Sequence, residues 1–174
     1  CRENSYWLDD FVLFMVLKAH FGGRVWSEWP QEVRDRRPEA LYSFNRRFRE
    51  RIKRGKFVQH LFFRQWSRLK SYCREKGVQL IGDLPIYVSY DSSDVWAHPE
   101  IFKLNEEKRP WVVSGVPPDY FSETGQLWGN PVYKWDALRQ SGYAGYCLAE
   151  IPESPEPLRL MRYYRALWQL QAGA

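Results

Sequence analysis

The stretch Val78–Leu138, VQLIGDLPIYVSYDSSDVWAHPEIFKLNEEKRPWVVSGVPPDYFSETGQLWGNPVYKWDAL, decides how this chain reads. It opens on a short apolar run, Val78-Gln79-Leu80-Ile81, that stops at Gly82-Asp83. A segment of helical periodicity, Lys56 to Lys76, precedes that run. A short buried strand that follows a helix is one unit of an α/β protein with a parallel sheet. In such folds the carboxyl ends of the strands line the ligand site, which puts Asp83 where chemistry takes place. The residues that follow are rich in Pro, Gly, Ser, Asp and Trp and are too many for a minimal strand-to-helix connection. Long loops inside a compact domain are usually functional. The residues alone therefore predict a polar and aromatic cleft built after one strand.

The rest of the chain bounds that reading. Its 174 residues suffice for one domain with a real core, and 44% hydrophobic and 17% aromatic content argue against disorder. Nine Trp and 11 Tyr leave two readings open: an aromatic core, or a surface that stacks flat ligands such as sugar rings. The formal net charge of +5 falls short of a nucleic-acid signature. Three widely spaced cysteines, Cys1, Cys73 and Cys147, form no CxxC pair, so a disulfide framework or zinc site is not expected and a reducing compartment fits. With no long apolar run and no signal-like start, we expect a soluble, cytoplasmic protein without membrane partners. The first residue is Cys instead of Met, and the natural start is expected to lie upstream.

Tyr6 to Phe21 is apolar almost all round and stops at Gly22-Gly23, a buried helix that Asn4 or Ser5 can cap, with Asp9 and Asp10 near the favourable end of its dipole. Pro38 opens a second helix at its first position. Arg46 to Lys56 is densely basic, but Phe48 and Ile52 lie four apart, so it reads as the solvated face of an amphipathic helix before it reads as a nucleic-acid patch. Phe57, Val58, Leu61, Phe62, Trp66, Leu69, Tyr72 and Cys73 keep a 3.6-residue period, which predicts a helix ending at Gly77, with Cys73 in the core. Ser92 or a neighbour caps a short turn at Asp94–Ala97. Asn105 to Lys108 is a hairpin tip between Phe102–Leu104 and Trp111–Val113, and Tyr133 to Leu138 starts another helix. His60 and His98 lack ligand partners, so neither a zinc site nor a His–Ser–Asp triad is supported.

Gly82-Asp83-Leu84-Pro85-Ile86-Tyr87-Val88, Asp94-Val95-Trp96-Ala97, Gly115 through Ser122 and Gly125 through Pro131 together resemble the amylomaltases. These are 4-alpha-glucanotransferases, also called disproportionating enzymes. The resemblance reaches back to Asn4–Asp10 and forward to about Ala144, yet spans only about a third of such an enzyme. It implies residues 1–144 as part of a (β/α)8 (TIM) barrel, α/β in class, with a long loop insertion after one strand. From Gly145 the likeness stops, and residues 145–174 are expected to be a divergent tail, from a frameshift or misread gene end, with a natural tail as the alternative.

Retaining glycosyl transfer needs a carboxylate nucleophile and a second carboxyl group about 5–5.5 Å away. Asp83, Asp119 and Glu123 are acids in suitable company. The resemblance instead implies that the nucleophile and the acid/base lie on later strands, so no catalytic residue is assigned here. It gives Asp83 a role in supporting the substrate site, although strand-end Asp residues also serve simply to bind backbone N–H groups. It assigns Asp119, Tyr120 and Phe121 to a loop arching over bound glucan, and Gln126 and Trp128 to contacts near the cleaved bond. Read as residues alone, Tyr120, Phe121 and Trp128 either pack the loop down or offer flat faces to sugar. The implied activity transfers α-1,4-glucan segments between maltooligosaccharides, with no metal, nucleotide or other cofactor. A non-catalytic glucan-binding module is the alternative.

Overall fold

A computed structural model describes residues 4–81 and 86–140. Helix α1, Ser5–His20, carries many aromatic, β-branched and Asp residues of modest helix propensity and is held by packing, burying Leu8, Val12, Leu13, Phe14, Val16 and Leu17. Its end is a Schellman motif: Gly23 N–H donates to the Lys18 carbonyl (2.8 Å) and Gly22 N–H to that of Ala19 (3.3 Å), both glycines having positive φ. Asn4 occupies the N-cap, but its side chain makes no capping hydrogen bond. Asp9 and Asp10 differ from the expected dipole role. They lie beyond the first turn and reach across the fold, Asp9 to Lys56 (2.6 Å) and Asp10 to Arg36 (2.6 Å).

The short helix α2, Gln31–Arg34, and α3, Pro38–Arg47, follow, the latter with Pro38 in its first turn where a missing N–H costs nothing. At the end of α2 the Arg34 side chain hydrogen-bonds Asp35 (2.8 Å), which holds the Asp35 carboxyl below its usual range. Helix α4, Arg49–Glu75, is one continuous helix. Its basic start is solvated apart from Ile52 and the preceding Phe48, which are buried at the expected spacing of four. It closes on a second Schellman motif, Val78 N–H donating to the Cys73 carbonyl (2.8 Å) and Gly77 N–H to that of Arg74 (3.1 Å).

The core gathers on α1 and is largely aromatic. Phe14 touches Trp29 and Trp96, and Trp29 touches Trp96, at ring-centroid distances of 5.4, 5.9 and 5.8 Å. Each buried indole N–H finds a carbonyl: Trp26 that of Tyr90 (2.8 Å), Trp29 that of Arg24 (3.1 Å), Trp96 that of Val33 (3.1 Å). These bonds offset the cost of burying a polar N–H, which otherwise runs to about 1–3 kcal/mol. Trp26 and Trp96 thus belong to the aromatic-core reading, and the guanidinium of Arg36 lies 4.3 Å over the Trp96 ring.

Helix α5, Ser93–Ala97, has Ser92 as its N-cap, the hydroxyl oxygen accepting from Val95 N–H (3.3 Å). Just before it, Tyr90 donates its hydroxyl to the Lys108 carbonyl (2.8 Å), and burial pushes its pKa up. That bond ties the predicted hairpin tip to the core. The tip itself is present, with Asn105 N–H donating to the Arg109 carbonyl (2.8 Å) and Lys108 N–H to that of Asn105 (3.0 Å). One isolated bridge, Leu104 with Pro110, joins the chain on either side of it in place of a regular strand pair, while Phe102 bridges instead to Tyr133. Strands β1, Val113–Val116, and β2, Gln126–Pro131, form an antiparallel pair, and α6, Trp135–Gln140, follows.

Two sequence expectations are corrected. Val78–Ile81 forms no strand; Val78 and Leu80 are exposed and Ile81 is 97% exposed. A parallel strand draws its hydrogen bonds and burial from neighbouring strands and covering helices, and among the described residues no strand lies beside this run. Cys73 is partly exposed instead of core, because the apolar stripe of α4 that carries it, with Phe57, Val58, Phe62, Trp66, Leu69 and Tyr72, is uncovered. The mixed helix and sheet content agrees with the α/β class in its coarse form.

Candidate functional site

The site is the β1–β2 hairpin and the rings packed against it. Pro117-Pro118 leave β1 with fixed φ, and Asp119 then folds the loop onto itself. Its Oδ1 accepts the N–H groups of Phe121 and Ser122, both at 2.9 Å, and its own N–H donates to the Ser122 carbonyl (2.9 Å). Such side-chain-to-backbone closure is what Asp does in turns. Ser122 completes the loop, its hydroxyl donating to the Gly125 carbonyl (2.8 Å). The ordered backbone holds Tyr120 and Phe121 outward. Their rings are 3.9 Å apart between centroids, and the residues are 89% and 76% exposed. Leaving two large rings in water forgoes about 1.5–3 kcal/mol of burial each, so these rings do little to pack the loop onto the rest of the fold.

On β2, Gln126 and Trp128 share one face by the two-residue strand period. The Trp128 indole N–H donates to Gln126 Oε1 (3.1 Å), and the Trp128 residue is 42% exposed. Between Val113↔Pro131 and Gly115↔Leu127 the ladder spans two residues on β1 against four on β2. Trp128 to Asn130 therefore bulge out of register, with Gly129 at φ +78°. Bulges of this kind re-aim side chains beside binding sites.

A ring from elsewhere in the chain meets Trp128, with others packed behind it. Tyr87 lies 6.3 Å from it, tilted by 59°, and 6.2 Å from Tyr133, nearly parallel at 15°. Tyr133 in turn packs on buried Phe102 (5.0 Å) and on Trp135 (5.5 Å).

The structure thus brings Gln126 and Trp128 together, and separately groups Asp119, Tyr120 and Phe121 on one loop. Asp83 lies outside the described residues. Asp119 Oδ1 is occupied with backbone N–H groups, so its carboxylate shapes the loop that carries the rings. Sequence reasoning missed Tyr87 as a neighbour of Trp128, and Tyr133 as the ring behind Tyr87. Tyr87 stands in a quoted motif, but no spacing in the sequence links it to a residue 41 positions away. Among the described residues no group of three or more His, Cys, Asp or Glu side chains is placed to hold a metal ion, and no helix is long and apolar enough to cross a membrane. His98 pairs with Glu100 at 3.3 Å.

The described residues thus form a mixed α/β segment with an exposed, ordered aromatic loop and a half-exposed Trp–Gln pair. Comparison with known proteins identifies the family. Residues 1–149 match the family model described as 4-alpha-glucanotransferase. The chain is 45% identical to the 4-alpha-glucanotransferase of Thermus thermophilus, over 99% of its own length and 35% of that protein's. It is 48% identical to that of Aquifex aeolicus, over 82% of this chain and 29% of the relative. In structure it is similar to an amylomaltase from Streptococcus agalactiae in complex with acarbose, with a TM-score of 0.76 and 45% identity, covering 82% of this chain and 29% of that one. The chain belongs to the 4-alpha-glucanotransferase family. It spans about a third of the length of these relatives.

Proposed function

We propose that this chain contributes part of the substrate cleft of a (β/α)8-barrel 4-alpha-glucanotransferase. The whole enzyme would transfer α-1,4-glucan segments between maltooligosaccharides by a retaining, covalent mechanism. The observation that carries this reading is the Asp119-tied loop, which spends its backbone hydrogen bonds on presenting Tyr120 and Phe121 to solvent. In this reading the two rings close over the glucan from the loop. Trp128 offers its flat face to the C–H side of a glucose unit, and Gln126 fixes the edge of that ring. Asp83 supports the site from the segment ahead of Ile86. The nucleophile and the acid/base, which must stand about 5–5.5 Å apart, belong to a part of the enzyme other than residues 1–144.

The test is incubation of the 174-residue chain with maltotriose and with maltoheptaose. We expect neither glucose nor longer oligomers from maltotriose, but measurable binding of maltoheptaose that Trp128→Ala weakens. Disproportionation of maltotriose would place the catalytic pair within this chain. Binding unaffected by Trp128→Ala would remove the assignment of the β2 face.

A further inference from the structure

The bulge in β2 leaves the setting of the Trp128 ring undetermined by the strand ladder. Residues 128–130 have no partner in register on β1, and the next residue, Gly129, brings no side chain to brace the indole. Two contacts hold it among the described residues. Gln126 Oε1 holds the indole N–H at 3.1 Å, which fixes one edge of the ring but leaves rotation about that hydrogen bond. The ring of Tyr87 packs beside the indole, 6.3 Å away between centroids and tilted by 59°. Resting on the glucan reading above, we propose that Tyr87 is a positioning residue that orients the Trp128 ring toward bound glucan.

Tyr87 is itself anchored. Its near-parallel contact with Tyr133 at 6.2 Å continues to Phe102, which is 1% exposed and belongs to the core, at 5.0 Å. Tyr133 is held again by its isolated bridge to Phe102, while Lys103 N–H donates to the Val132 carbonyl (2.8 Å) and Lys134 N–H to that of Ile101 (2.8 Å). A file of rings, Phe102, Tyr133, Tyr87 and Trp128, therefore runs from the rigid interior to the half-exposed ring at the surface. Tilted and offset pairs at these separations are the favourable aromatic geometries. A ring set this way meets a sugar without first losing its own rotational freedom, which is how preorganisation raises affinity.

The experiment uses the 174-residue chain labelled with nitrogen-15. Loss of one indole N–H resonance in Trp128→Phe identifies that of Trp128. In Tyr87→Leu we expect this resonance to shift while those of the buried Trp26 and Trp96 stay in place, and maltoheptaose binding to weaken about three- to tenfold. Tyr87→Phe, which keeps the ring, retains the wild-type resonance and affinity. An unmoved Trp128 resonance in Tyr87→Leu overturns the proposal. So does a shift shared by Trp26 and Trp96, which would make Tyr87 a packing residue of the core. If the wild-type chain binds no maltoheptaose, the glucan reading fails by itself, and the resonances still report whether Tyr87 orients the ring.

Discussion

Gly125 stands just ahead of strand β2 and Gly129 lies within it, on either side of Trp128. The structure separates them. Both have positive φ, +75° and +78°, a conformation that costs a residue with a Cβ about 1–2 kcal/mol. At Gly125 a Cβ would also come within 2.6 Å of the Val116 carbonyl oxygen and 3.0 Å of the Pro117 carbonyl carbon, while at Gly129 nothing lies within 4 Å. Val116 is paired in the ladder and the prolines are fixed in φ, so that backbone has little room to yield. Gly125→Ala is expected to lower the urea midpoint clearly more than Gly129→Ala, whose loss should stay near the φ penalty alone. Equal losses would show that the loop moves aside. Composition and order made these glycines visible; which atoms each would strike is a property of the folded hairpin.

At the scale of elements, α4 shows where pattern and packing part company. The sequence reads a basic amphipathic segment up to Lys56 and a periodic helix after it. The structure runs through Gly55 without a break, and that residue faces α1 at close range. A Cβ on Gly55 would sit 2.7 Å from Val12 Cγ1, and Val12 is buried. Alanine at this position gains about 1 kcal/mol of helix propensity but overpacks the contact by about 1–3 kcal/mol. Gly55→Ala is thus expected to be neutral to destabilising by up to about 2 kcal/mol. In a double-mutant cycle by chemical unfolding, Val12→Ala with Gly55→Ala should cost less than the sum of the two single changes. Strict additivity would show that the helices separate freely. The same close approach explains why Asp9 pairs with Lys56 and Trp7 with Phe63 (5.6 Å between ring centroids), contacts between α1 and α4 that no local spacing announces.

At the scale of the whole molecule, the described residues form a core on one side of α4 and leave an apolar stripe on another. Phe57, Val58, Phe62, Trp66, Leu69 and Tyr72 are exposed along it, as are Val78, Leu80 and Ile81 beyond its end. Exposed apolar surface of this extent favours self-association. Phe62→Glu is expected to leave unfolding stability within about 0.5 kcal/mol, as for an ordinary surface position, and to lower light scattering of concentrated solutions. A loss of several kcal/mol would mean that the side chain is covered in solution.

The sequence by itself determined the local features, whose causes lie within a few residues of one another. These are the helix stops at Gly22-Gly23 and Gly77, the start at Pro38, a cap at or beside Ser92 and the 105–108 turn. Motifs in a set order also sufficed to indicate the family that the comparisons establish. Burial and long-range partners were decided only by the tertiary structure. Val78–Ile81 has the composition of a buried strand and lies exposed, since burial depends on what stands opposite. Tyr87 and Trp128 meet because the file of rings from Phe102 brings distant segments together, and no periodicity along the chain encodes such a meeting.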